Sequence, residues 1–338
     1  MLCLRLFLAV ILAAATTHAD PVTVPLTKNL FHEFINTQYA GSVDIGSQSF
    51  LLVFDTSSPN VIIPSQQCIG GSCSCVSTDK YVGSKRGNGR PITVNYFDCS
   101  SATGNIITET LTIVSLNSSN QGIILADQID MAICTLAASG VVGLAPPPAK
   151  HSSGLETVMA NFADQDSIPN VFSVHHARYP DGEHFGELIL GGSDTTYISG
   201  NFTSVPLADD SSWKFKLDQV LIGETNVADD NTLGFVDTSK AIIMGPDSQI
   251  DQINNEIGCT SRRIGDNNLC ELSCDDTDNL PEFAFIISGK TFNISAEYYV
   301  QRNGDICYSG FMPNGQDYYM IGDFFIDNYY SEFNWDEK

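Results

Sequence analysis

The strongest constraint on this chain is an internal duplication. Phe54-Asp55-Thr56-Ser57 follows the apolar run Leu51-Leu52-Val53, and Val236-Asp237-Thr238-Ser239 follows Gly234-Phe235. Each is answered downstream by two apolar residues and a glycine, Val141-Val142-Gly143 and Met320-Ile321-Gly322. Gly143 lies 88 residues after Asp55, and Gly322 lies 85 after Asp237. One short match arises easily by chance. Two ordered pairs at nearly equal spacing imply two similar lobes, joined near residues 190–192. The chain of 338 residues is long enough for both.

The remainder reads as short β runs broken by Gly, Asn, Asp and Ser, as at 50–54, 92–97, 106–114, 171–174, 187–190 and 283–287. Helical periodicity is confined to 154–162 and 249–257. The expected fold is therefore all-β and bilobal, with a few short helices. Each Asp would end a strand, on a loop directed at the other lobe. A lone Asp-Thr-Ser is ordinarily a turn or a helix cap. Two facing copies make a carboxylate dyad. Carboxylates ~3 Å apart cannot easily both ionise, so they share a proton. One then activates water while the other protonates a carbonyl oxygen. That is acid-pH peptide hydrolysis with no catalytic metal and no covalent intermediate.

Charge and export signals narrow the setting. Lys+Arg number 16 against 40 Asp+Glu, a formal charge of −24. This excludes the basic footprint of nucleic-acid binding and a polybasic membrane surface. Residues 1–19 carry Arg5, an apolar run at 6–15 and Thr17-His18-Ala19, the pattern of a cleaved secretory signal. The expected product is secreted, in an extracellular space such as a gut lumen. Nine of the ten cysteines follow the leader, and an oxidising compartment favours disulfides. Asn117, Asn201 and Asn293 head glycosylation sequons.

These features together resemble the pepsin-like aspartic peptidases. The resemblance rests on Phe34-Ile35-Asn36-Thr37-Gln38-Tyr39-Ala40-Gly41, both Asp loops, a flap-like segment at 96–104, Phe172-Ser173-Val174, Leu190-Gly191-Gly192 and Ile321-Gly322-Asp323-Phe324-Phe325. It is narrowest with the cockroach aspartic-protease-like allergens, which are regarded as inactive or nearly so. His175-His176-Ala177-Arg178, Asp181-Gly182-Glu183-His184 and the stretch 329–335 carry that match. The resemblance implies lobes at 20–192 and 193–338, catalytic Asp55 and Asp237, and a ligand cleft between the lobes. It implies the disulfides Cys68–Cys73 and Cys274–Cys307. Cys259–Cys270 is a local pairing and Cys75–Cys134 one within the N-terminal lobe, leaving Cys99 over. An allergen would also meet antibodies. Oligomeric state is left open.

Several positions depart from active members of that family. Those carry Asp-Thr-Gly in both loops, where Ser57 and Ser239 stand here. Each serine adds a Cβ and a hydroxyl beside a carboxylate, and a small displacement costs about 10²-fold in rate. Thr56 and Thr238 retain the means to cross-brace the loops, and Ser58 is also kept. Lys240 follows Ser239 and would favour ionisation of Asp237, unless it points to solvent. The flap tyrosine position falls on Phe97, and its tryptophan partner on Ile62; Tyr96 is adjacent but on the other strand face. The spacing between leader and Val24-Pro25-Leu26 leaves no basic prosegment. The reading is a silent or strongly weakened homologue that binds a peptide or small hydrophobic ligand. The alternatives are an active digestive endopeptidase and a storage protein.

A second constellation falls at the lobe junction. His176 and His184 flank Tyr179-Pro180-Asp181-Gly182, a turn signal. Asp323 and Asp327 are four apart in a segment that the family builds as a helix. The resemblance brings the two segments together, and two imidazoles with two carboxylates suit structural Zn²⁺. A further strand is expected beyond Phe333-Asn334-Trp335.

Overall fold

The computed structural model describes residues 19–30, 37–68, 79–83, 91–95, 101–129, 138–149, 153–165, 168–178, 184–264, 267–275 and 277–337. Strands dominate, and the helices are short. The fold is the mostly-β, bilobal architecture that the duplication implied.

One eleven-stranded sheet organises the N-terminal half and reaches the C-terminal end. Its order begins Ser331–Asn334, Val171–Arg178, His184–Leu190, Val22–Leu30, Thr37–Ile45 and Gln48–Asp55. The first of these strands comes from the C-terminal end, so the sheet joins distant parts of the chain. Val22–Leu30 changes partner along its length. Its first part pairs with His184–Leu190, and from Thr27 it pairs with Thr37–Ile45. The C-terminal half builds a five-stranded sheet around Leu233–Val236 and Tyr318–Ile321, with two four-stranded sheets beside it.

The duplication is visible in backbone pairing. Val53 and Phe54 pair in parallel with Val141 and Val142; Phe235 and Val236 pair in parallel with Met320 and Ile321. The two downstream glycines therefore lie beside the two Asp loops. A Cβ on Gly143 would stand 2.3 Å from the Ser58 carbonyl oxygen, and one on Gly322 the same 2.3 Å from that of Lys240. Only glycine admits so close a backbone approach.

Both helix expectations fall near their places. The first helix is Val158–Asp164, starting later than 154 because the Thr157 side chain caps it by accepting from the Ala160 N–H. The second is Asp247–Ile257, with Ile250, Ile253 and Ile257 buried on one face. The strand expected over 106–114 stops at Ile113, because Val114 turns to a positive φ of 55°. Cys259–Cys270 and Cys274–Cys307 are both disulfides. Cys68 is disulfide-bonded too; Cys73, Cys75, Cys99 and Cys134 lie outside the described residues.

Candidate active site and lobe junction

Asp55 ends the strand Gln48–Asp55, and Asp237 follows Leu233–Val236. Backbone bonds hold each turn: the Leu144 N–H donates to the Asp55 carbonyl at 2.8 Å, and the Asp237 N–H to the Ile321 carbonyl at 2.9 Å. The threonines then bind the loops to each other. The Thr56 N–H donates to Thr238 Oγ1 at 3.1 Å, and the Thr238 N–H to Thr56 Oγ1 at 3.2 Å. Thr56 Oγ1 donates to the Val236 carbonyl at 2.7 Å, and Thr238 Oγ1 to the Phe54 carbonyl at 2.6 Å. Four buried bonds thus cross between the two halves. The Gln38 amide adds a fifth, from Nε2 to the Ser239 carbonyl at 2.8 Å.

The serines face the carboxylates in matching fashion. The Ser57 N–H and Oγ both donate to Asp55 Oδ1, at 2.8 and 2.6 Å. The Ser239 N–H and Oγ both donate to Asp237 Oδ1, at 2.9 and 2.7 Å. A glycine would supply only the first bond of each pair. Asp55 is 4% exposed and Asp237 0%. Burial above all, then the neighbouring Asp55, pushes the Asp237 carboxyl up to about 7, against the opposing pull of Lys240 and the Ser239 donors. Asp237 Oδ2 has no hydrogen-bond partner among the described residues. Ser58 is buried beside the dyad loop. Phe97 and Tyr96 lie outside the described residues, while Ile62 is buried in the strand Val61–Pro64.

His176 is buried on Val171–Arg178, where strand alternation sends it one way and His175 the other. His175 stacks on Tyr197 with ring centroids 3.8 Å apart, and burial together with His176 holds it below its ordinary value. His176 stacks on Tyr39, centroids 3.6 Å apart. Its Nδ1 lies 3.3 Å from Asp323 Oδ1. Gly186 pairs with His176 and makes room for this stack, because a Cβ there would come within 2.5 Å of the Tyr39 ring. The Tyr39 hydroxyl donates to Asp327 Oδ1 at 3.4 Å. Burial first, then Asp327 and Asp323, holds that phenol well above its ordinary range, so it stays a neutral donor. His176, Asp323 and Asp327 are therefore gathered around Tyr39. His184 pairs with Arg178, two positions from Gly186 along its strand; its side chain is outside the description. Among the described residues no group of three or more His, Cys, Asp or Glu is assembled as a metal cage.

The eukaryotic aspartyl protease family model matches residues 38–338. The chain belongs to that family. It is 48% identical to the aspartic protease Bla g 2 of Blattella germanica over 345 aligned residues, covering 100% of this chain and 97% of the relative. It is 30% identical to cathepsin D of Gallus gallus, with 92% and 81% covered, and 29% identical to pepsin A of Sus scrofa, with 89% and 80% covered.

Three residues of this family member matter to its sites yet carried no role in the sequence reading. Gln38 reaches the opposite Asp loop. Gly186 admits Tyr39 beside His176. Lys28 lies 3.6 Å from Asp323 through its Nζ and Oδ2. A glycine within a strand is a recognised signal of close approach, and would have marked Gly186. The other two depend on pairings between residues hundreds of positions apart, which leave no local trace.

Proposed function

We propose that this chain is a secreted aspartyl protease homologue, with lobes at 20–192 and 193–338, whose dyad of Asp55 and Asp237 is silent or strongly weakened. The observation that carries this reading is the pair of serine hydroxyls bonded to the two carboxylates. Peptide hydrolysis by a dyad needs a water poised between two carboxylates that share one proton. Ser57 and Ser239 each engage a carboxylate oxygen with a donor that glycine lacks, and each adds bulk where that water must sit. Lys240 pulls against the proton on Asp237, but burial and Asp55 outweigh it, so the serines and not the lysine carry this reading. The cleft is kept for binding an extended peptide or a small hydrophobic ligand. Exposed Asn117, Asn201 and Asn293 suit glycosylation, and the disulfides suit export. Among the described residues no helix is long and apolar enough to cross a membrane. By its likeness to the cockroach proteins we read it also as an allergen, bound by antibodies.

At the junction we propose a structural zinc ion held by His176, His184, Asp323 and Asp327. Among the described residues, both ring nitrogens of His176 and both carboxylate oxygens of Asp323 are buried without hydrogen bonds. Orphaned buried polar atoms are costly, and a dication would satisfy them. Such an ion would tie the strand Val171–Arg178 to the segment after Tyr318–Ile321 and take no part in hydrolysis.

The competing reading is an active acid endopeptidase. The intact threonine brace and both aspartates favour it. Purified protein incubated with denatured substrate at about pH 4 separates the two. The silent reading expects no turnover above that of Asp55→Asn. Pepstatin-sensitive turnover that Asp55→Asn abolishes would overturn it.

A further inference from the structure

We propose that Lys28 is a tethered cation at the lobe junction, which neutralises Asp323 when no metal is bound and competes with a metal for that carboxylate. The proposal rests on the zinc reading above.

The two oxygens of Asp323 face different partners. Oδ1 lies 3.3 Å from His176 Nδ1, and Oδ2 lies 3.6 Å from Lys28 Nζ. The side chains of Lys28 and Asp323 are only 8% and 2% exposed. The register of the sheet creates this contact. Val22–Leu30 switches partners at Thr27, and Lys28 then pairs directly with Tyr39. Lys28 Nζ sits 5.0 Å from the centroid of the Tyr39 ring, which also stacks on His176. One aromatic ring therefore supports both the ammonium and the imidazole beside a single carboxylate.

A buried carboxylate needs a cation or several donors. Among the described residues Asp323 accepts no hydrogen bond through its side chain, and Lys28 supplies charge compensation. A divalent ion bound between His176 and Asp323 would stand a few ångströms from that ammonium. At such range in a buried site the repulsion is strong. Lysine's four-carbon stem is flexible and its head strongly hydrated, so it can swing to water when a metal arrives. Metal entry must then displace Lys28, and the observed affinity is lowered accordingly.

The test uses the full chain stripped of metal, with Zn²⁺ as the probe. Lys28→Met keeps most of the stem and removes the charge; Lys28→Arg keeps the charge. Zinc affinity is measured by calorimetry, and thermal unfolding is followed in chelator and in zinc. Lys28→Met is expected to bind zinc ~10–100-fold more tightly than wild type, the range by which groups surrounding the ligands tune metal sites. It should melt below wild type in chelator, with the gap closing in zinc. Lys28→Arg should stay near wild type in both. Equal zinc affinities for wild type and Lys28→Met would overturn this inference while leaving the zinc site standing. No loss of stability for Lys28→Met in chelator would overturn it as well. Absence of zinc binding by both proteins would remove the metal site itself and this inference with it.

Discussion

The two Asp loops are near copies in hydrogen bonding and unlike in electrostatics. Each threonine gives two bonds across the boundary, from its N–H and its hydroxyl, and accepts one, and each serine donates twice to one carboxylate oxygen. After that the loops part. Ser58 stands where Lys240 stands in the other copy, so the Asp237 carboxyl, raised by burial and by Asp55, is also pulled down by a lysine. Backbone geometry thus preserves a symmetry that side-chain chemistry has broken. The brace depends on donors and acceptors placed by parallel strand pairs, and those are duplicated. Proton affinity depends on burial and nearby charge, which differ by single residues.

The largest expected effect tests the electrostatic half of that contrast. The folded value of Asp237 lies above its unfolded value of about 3.9. The folded protein therefore binds that proton more tightly. The resulting stabilisation is full below about pH 4 and is lost as pH rises through about 7. Asp237→Asn removes this dependence, so denaturant titrations at about pH 4 and about pH 8 should show a smaller decline than wild type. An unchanged decline would place the sensitivity elsewhere.

Next come the threonines. Thr238→Val strips partners from the Thr56 N–H and the Phe54 carbonyl, and Thr56→Val does the same for Thr238 and Val236. Each should cost about 3 kcal/mol, since two buried polar groups are left unpaired. Equal losses in chemical denaturation support the symmetry; a loss confined to one variant breaks it. Ser57→Ala and Ser239→Ala remove one hydroxyl bond apiece, for about 1 kcal/mol. The smallest effect is that of Lys240→Met. Without the ammonium the Asp237 titration should move up, readable as a shift in the pH midpoint of stability.

Much of this molecule was legible in the chain because the duplication is local and repeated. Asp55-Thr56-Ser57 and Asp237-Thr238-Ser239 marked the two loops that brace each other, and the two downstream glycines marked the strands beneath them. The helices were readable from apolar spacing such as Ile250, Ile253 and Ile257. The junction was only half legible. His176 and Asp323 were singled out, but the reading could not supply Lys28, Tyr39 and Gly186 around them. Those contacts arise where Val22–Leu30 changes partner, and a register between distant strands has no signature in either strand alone. For Asp237 the sequence offered Lys240, which does pull toward ionisation, but not the burial that outweighs it, because enclosure is a property of the packed lobes.

The central claim is that hydroxyls at both loop positions hold the dyad silent. It is tested most directly by assaying Ser57→Gly/Ser239→Gly beside wild type on denatured protein at about pH 4, with Asp55→Asn in each background as the blank. The account predicts wild type at the blank and the double variant at least ~10-fold above it. Wild-type turnover well above its blank, unchanged by the two glycines, would contradict it.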